Sequence, residues 1–169
     1  MKVLVSDTSV LIDLERGGLL EIAFTLPFEF AVPDLLYTQE LQQHRGERLL
    51  GLGLRIESLS PDEVSRAVDY LRSKPVLSLP DTFALALTMS HEWTLLTGDR
   101  ALRELAESEQ VDCHGVLWVL DQIHEAQIMP AQLLRESLQT IADHPRCRLP
   151  RHEIRLRLSQ YDAEGNPSC

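Results

Sequence analysis

VLVSDTSVLID, residues 3–13, joins a stretch that reads as a buried strand to one that reads as a helix, with Asp7 at the joint. Val3, Leu4 and Val5 form a short, continuous, valine-rich apolar run, the pattern of a strand covered on both faces. From residue 9 onward the apolar positions Val10, Leu11 and Leu14 take helical spacing, and Gly17-Gly18 closes the helix. Strands that alternate with helices in this way imply a parallel sheet with helices packed on it. Ligands of such sheets bind beyond the carboxyl ends of the strands. Asp7 would stand at that edge.

The rest of the chain repeats the alternation. FEFAV (28–32), LRIESL (54–59), TLLTG (94–98) and VDCHG (111–115) read as further strands. LLEIAFTL (19–26) reads as a second helical piece stopped by Pro27, and another helix starts at Pro33-Asp34. Three glycines weaken the helical pattern over 44–53. Ser60, Pro61 and Glu63 predict a capping box opening a helix that runs to about Lys74. Pro80 and Asp81 open a strongly apolar helix over 79–93, and Asp99 opens the next. Two more are expected over about 116–126 and 130–142. Trp93 and Trp118, among apolar neighbours, are expected in the core. The pattern after Pro150 fits helix and strand alike, and DAEGNPSC (162–169) is expected to be disordered. The fold class is α/β: an α/β/α sandwich around a central, mainly parallel sheet.

At 169 residues the chain is of single-domain size. No run approaches the roughly 18 apolar residues that span a bilayer, and Asp7 interrupts the N-terminal apolar run, so neither a membrane segment nor a signal peptide is expected. Cys113, Cys147 and Cys169 form no CxxC pair, and Ile128 stands where HExxH would need its second histidine after His124-Glu125. A cytoplasmic setting is expected. The net charge of −10 argues against general affinity for nucleic acid. That charge is uneven: residues 144–160 carry Arg146, Arg148, Arg151, Arg155 and Arg157 against Glu153 alone. The chain therefore divides into an acidic body, 1–145, and a basic C-terminal extension, 146–169. The extension could bind RNA, pair with the acidic body or serve a partner protein.

Four acids fall at element ends. Asp7 follows the first strand and Asp99 follows TLLTG. Asp81 lies in the first turn of the helix that returns toward that strand, and Glu40 lies about a turn and a half into the Asp34 helix. Two carboxylates at about 4 Å repel by about 4 kcal/mol at an effective dielectric near 20. A gathering of such groups calls for a cation, and oxygen ligands select a hard one such as Mg²⁺ or Mn²⁺. Such ions can activate water and stabilise the leaving oxygen of a phosphodiester. Each acid also has a plain structural role open to it, as a helix cap or a solvated side chain. Asp13 is expected on a solvated helix face. Arg100 and Arg103 could hold phosphates or form surface ion pairs.

VSDTSVLIDL, the Glu40 of YTQEL, PDTFALAL and LLTGDRALRELA together resemble the PIN-domain family, as does the following HGVLWVLDQIHEAQIMP. The resemblance covers about residues 1–145, in order. It implies a Rossmann-like fold and a Mg²⁺- or Mn²⁺-dependent ribonuclease acting on single-stranded or structured RNA. Asp7, Glu40, Asp81 and Asp99 would then be the metal-binding, catalytic acids. Ser9 matches the hydroxyl residue after the first aspartate, and Thr97 the polar residue before the last. Thr82 departs from the small residue common after the third acid. Many bacterial and archaeal members are VapC-type toxins held by a cognate antitoxin, and homodimers are frequent. The alternative is a non-catalytic PIN-like module that binds protein or RNA. A dehalogenase-type phosphatase would need a second aspartate where Ser9 stands, and a response-regulator receiver would need an early acidic pair and a late lysine. Neither pattern is present.

Overall fold

A computed structural model describes residues 1–165. Its strands are β1 (Lys2–Ser6), β2 (Phe28–Pro33), β3 (Arg55–Glu57), β4 (Thr94–Leu96) and β5 (Cys113–His114). They form one five-stranded sheet of order β3-β2-β1-β4-β5, parallel throughout. The chain runs outward from β1 to β2 and β3, then crosses back over β1 to β4 and β5. Strand order therefore reverses between β1 and β4, the place where open α/β sheets leave a crevice.

The helices are α1 (Thr8–Arg16), α2 (Leu20–Ala23), α3 (Asp34–Leu36), α4 (Gly46–Leu52), α5 (Pro61–Ser73), α6 (Leu79–His91), α7 (Arg100–Ser108), α8 (Val116–Glu125), α9 (Ala131–Asp143) and α10 (Arg151–Gly165). Side chains alternate across β1, which splits the core into two layers. Leu4 joins the cluster holding Leu11, Leu14, Leu120, Leu138 and Tyr161, from α1, α8, α9 and α10. Val5 joins Leu85, Leu87, Leu102 and Leu105, from α6 and α7. Burial on both faces explains why β1 reads as unbroken apolar sequence.

Several elements differ from expectation. The helical piece expected over 19–26 shortens to α2, Leu20–Ala23. The helix opened at Asp34 leaves α-geometry after Leu36 and continues as a π-turn over Tyr37–Leu41. α4 forms despite its glycines, because Gly46 packs where a Cβ would lie 2.6 Å from the Tyr37 hydroxyl oxygen and Gly53, at φ 108°, ends the helix. Trp93 and Trp118 are half-buried rather than in the core. Trp93, just before β4, stacks on His91 at 4.3 Å, and Trp118 stacks on His114 at 4.4 Å.

The basic segment is helical from Arg151 to Gly165, and residues 146–150 precede that helix. Arg157 binds both Asp121 oxygens, at 2.8 and 2.7 Å, and Glu153 at 2.9 Å. Tyr161 is fully buried. Asp162–Gly165, expected to be disordered, continue α10, because Asp162 pairs with Arg135 at 2.5 Å and Glu164 with His124 at 2.7 Å. The remainder of that expectation, residues 166–169, lies outside the described residues. Among the described residues no helix is long and apolar enough to cross a membrane.

Candidate active site

Asp7 is the N-cap of α1 and continues the β1–β4 ladder by one step, its N–H donating to Leu96 O at 2.9 Å. It is only 3% exposed. Its carboxylate is held from three sides: Ser9 Oγ and the Val10 N–H donate to Oδ1 at 2.7 and 3.1 Å, and Thr97 Oγ1 donates to Oδ2. Burial nevertheless wins over these hydrogen bonds and pushes the carboxyl up to about 6, with the charge of Asp81 adding to the rise. An acid kept near neutrality by burial and a like charge marks a functional-site candidate.

The β4–α7 connection carries the second half of the arrangement. Thr97, fully buried, donates to Asp7 and accepts from the Asp99 N–H at 3.0 Å. The Gly98 N–H donates to Ser9 Oγ at 3.0 Å, where a Cβ on Gly98 would lie 2.9 Å from that oxygen. Asp99 caps α7 by accepting from the Leu102 N–H at 2.8 Å through Oδ2. Ser9 and Thr97 thus tie Asp7 directly to the loop that bears Asp99.

Glu40 and Asp81 approach from the flanks. The π-turn presents Glu40, whose Oε2 accepts from Thr8 Oγ1 at 2.7 Å. Asp81 closes a capping box with Ser78, accepting the Ser78 N–H on Oδ2 at 3.2 Å. Among the described residues, Glu40, Asp81 and Asp99 each leave one carboxylate oxygen without a hydrogen-bond donor, and with Asp7 the four acids offer only hard oxygens. The donor chemistry fits a hard divalent cation. As the chain stands, however, each acid is engaged in its own hydrogen bonds, and no three acid, histidine or cysteine side chains of the described residues are grouped to hold a metal.

The remaining sequence candidates separate. Arg100 is 92% exposed and paired with Glu104 at 3.0 Å. Arg103 turns inward and donates to Thr97 O at 3.1 Å. Asp13, expected on a solvated face, is half-buried beside Arg16 at 3.6 Å, with burial raising its carboxyl. Thr8 was not singled out by sequence, having no signal beyond its place after Asp7. The Ser78 cap was readable as a serine three residues before an aspartate.

A family model described as a PIN domain matches residues 3–163. No curated protein matches the chain. Among solved structures, a toxin–antitoxin complex from Klebsiella pneumoniae is similar at 24% identity and a TM-score of 0.41, covering 57% of this chain and 86% of that one.

Proposed function

From the premise that the chain belongs to the PIN-domain family, we propose that it is a metal-dependent endoribonuclease hydrolysing phosphodiester bonds of single-stranded or structured RNA. The observation that carries this reading is Asp7: a buried carboxylate at the sheet's reversal point, pinned by two hydroxyls and coupled to Asp81. Asp7, Glu40, Asp81 and Asp99 would hold Mg²⁺ or Mn²⁺. The bound ion supplies charge to offset acids and phosphate and lowers the pKa of water.

The chain's own groups do the positioning. Ser9 and Thr97 fix both oxygens of Asp7, and Thr8 orients Glu40. Arg100 and Arg103, at the start of α7, are the proposed phosphate contacts. Burial pushes the Cys113 thiol up to about 11, so it stays protonated and is no nucleophile. Within the family reading we also propose a cytoplasmic toxin, a homodimer, restrained by an antitoxin on a separate chain, with the 145/146 boundary marking where the acidic nuclease body gives way to the basic segment.

One observation favours the second reading, a non-catalytic binding module: the acids of the described residues do not form a metal-holding group. Cleavage of a mixed single-stranded RNA pool with Mn²⁺, Mg²⁺ or EDTA, by wild type and Asp7→Asn purified alike, decides between them. The nuclease reading expects metal-dependent cleavage that Asp7→Asn abolishes, together with a thermal shift on Mn²⁺ addition in wild type. Absence of both cleavage and metal stabilisation would leave the binding module.

A further inference from the structure

A groove of about 720 Å³ begins at Gly98 and Arg100, beside Asp99, and runs between α7 and the segment leading into α10. Arg103, His114, Trp118 and Arg148 line it, and Arg157 lies at its far wall. Its volume falls in the range of roughly 300–1,000 Å³ typical of ligand clefts.

The pairing of arginines sets this groove apart. Elsewhere they mostly meet carboxylates, as Arg45 meets Glu15 at 3.2 Å and Arg135 meets Asp162 at 2.5 Å. Among the described residues, Arg66, Arg103, Arg146, Arg148, Arg151 and Arg155 have no such partner, and two of these, Arg103 and Arg148, line the groove. Arg146, Arg151 and Arg155 are exposed nearby in sequence and do not line it. The groove's acids are largely consumed: Glu104 pairs with Arg100, and Asp121 and Glu153 both pair with Arg157, leaving Glu107. On a chain of net charge −10, the groove's four arginines balance its four acids, and Arg103 and Arg148 are the two that no carboxylate pairs with among the described residues.

A polyanion whose bond lies at the Asp7 edge is repelled by the acids there. Its neighbouring phosphates need a path of unneutralised positive charge, and the groove opens at that edge. The half-buried His114–Trp118 stack, with rings 13° apart, adds aromatic surface of the kind on which unpaired bases rest. We propose that this groove holds the single-stranded RNA segment adjoining the scissile bond, with Arg103 and Arg148 on its phosphates and the His114–Trp118 stack against a base. The proposal deepens the nuclease reading and rests on it.

The test is binding of the full chain to a fluorescein-labelled 12-nucleotide single-stranded RNA in EDTA, across a salt series. Wild type is compared with Arg148→Ala, Arg148→Glu and the control Arg72→Ala, whose side chain is 78% exposed on α5. Arg148 is exposed, so these variants should fold, and equal melting temperatures check it. Arg148→Ala is expected to weaken binding about fivefold and to reduce the slope of log affinity against log salt by about 0.7, the loss of one phosphate contact. Arg148→Glu should weaken it further, and Arg72→Ala should not change it. Unchanged binding in both Arg148 variants, or no RNA binding by wild type, overturns the proposal. So does polyglutamate binding as tightly as RNA with the same dependence on Arg148, which would assign the groove to an acidic protein segment. Metal-dependent cleavage with Arg148-independent binding removes the groove and keeps the nuclease. Arg148-dependent binding with neither cleavage nor stabilisation by Mn²⁺ removes the nuclease and keeps the groove as an RNA-binding site.

Discussion

At the scale of single residues, the site turns on a carboxylate held where it is expensive to charge. The rise of Asp7 from 3.8 to about 6 corresponds to about 3 kcal/mol. Its folded pKa lies above its unfolded value, so the folded state gains from the bound proton below about pH 4 and loses that gain as pH rises through 6. Asp7→Asn should therefore leave the metal-free protein more stable than wild type by about 1–3 kcal/mol at pH 7.5, with the difference shrinking toward pH 4. Urea melts of both proteins in EDTA at several pH values check this; a variant less stable than wild type at pH 7.5 would contradict it. Mn²⁺ should reverse the order, stabilising wild type and not the variant. Thr8 makes a separate prediction, since its hydroxyl donates to Glu40 at 2.7 Å. Thr8→Val should weaken Mn²⁺ binding about tenfold by calorimetry, and Thr8→Ser should restore it. Equal affinities in the three proteins would mean that Glu40 takes no direction from Thr8.

Among the elements, the β4–α7 turn and the π-turn do most to place side chains. Gly98 sits in the turn because a Cβ there would press on Ser9 Oγ at 2.9 Å, and Ser9 is the group that holds Asp7. Gly98→Ala should cost about 1–3 kcal/mol of stability. Removing the hydroxyl as well should return part of that cost, so the Gly98→Ala, Ser9→Ala double variant should be more stable than the sum of the singles predicts. Thermal denaturation of the four proteins measures this coupling, and strict additivity would place the strain elsewhere. The π-turn at Tyr37–Leu41 was invisible in sequence, because a π-turn differs from an α-helix by a hydrogen-bond register and not by composition. The capping boxes at Ser60–Glu63 and Ser78–Asp81 are local, and a local spacing rule suffices to see them.

On the scale of the whole molecule, α10 belongs to the same core layer as α1, α8 and α9, since Ile154 and Tyr161 are buried among their residues. Truncation after residue 145 should remove at least about 3 kcal/mol of stability, a fall in Tm of about 10 °C. Calorimetry of the shortened chain tests it, and an unchanged Tm would make the basic segment an accessory in the literal sense. The strands and the order of α/β alternation were legible in the sequence because burial on two faces leaves unbroken apolar runs such as Val3–Val5, and helix caps carry their own chemistry. Asp7, Asp81 and Asp99 could be picked out as candidates because they fall where strands end or helices begin, whereas Glu40, inside the π-turn, was picked out chiefly by the family resemblance. Their relation to one another was not legible, since it depends on contacts between residues as distant as Asp7 and Thr97. Neither was the character of the C-terminal segment. Its Arg157 is claimed by Asp121 and Glu153, while Arg148 is left at the groove, and that division follows from packing. Local sequence determined which elements form and where they start. Tertiary structure alone decided which charges are neutralised, which are stranded by burial, and thus where this protein's chemistry can reside, because desolvation and pairing are properties of neighbours brought together across the chain.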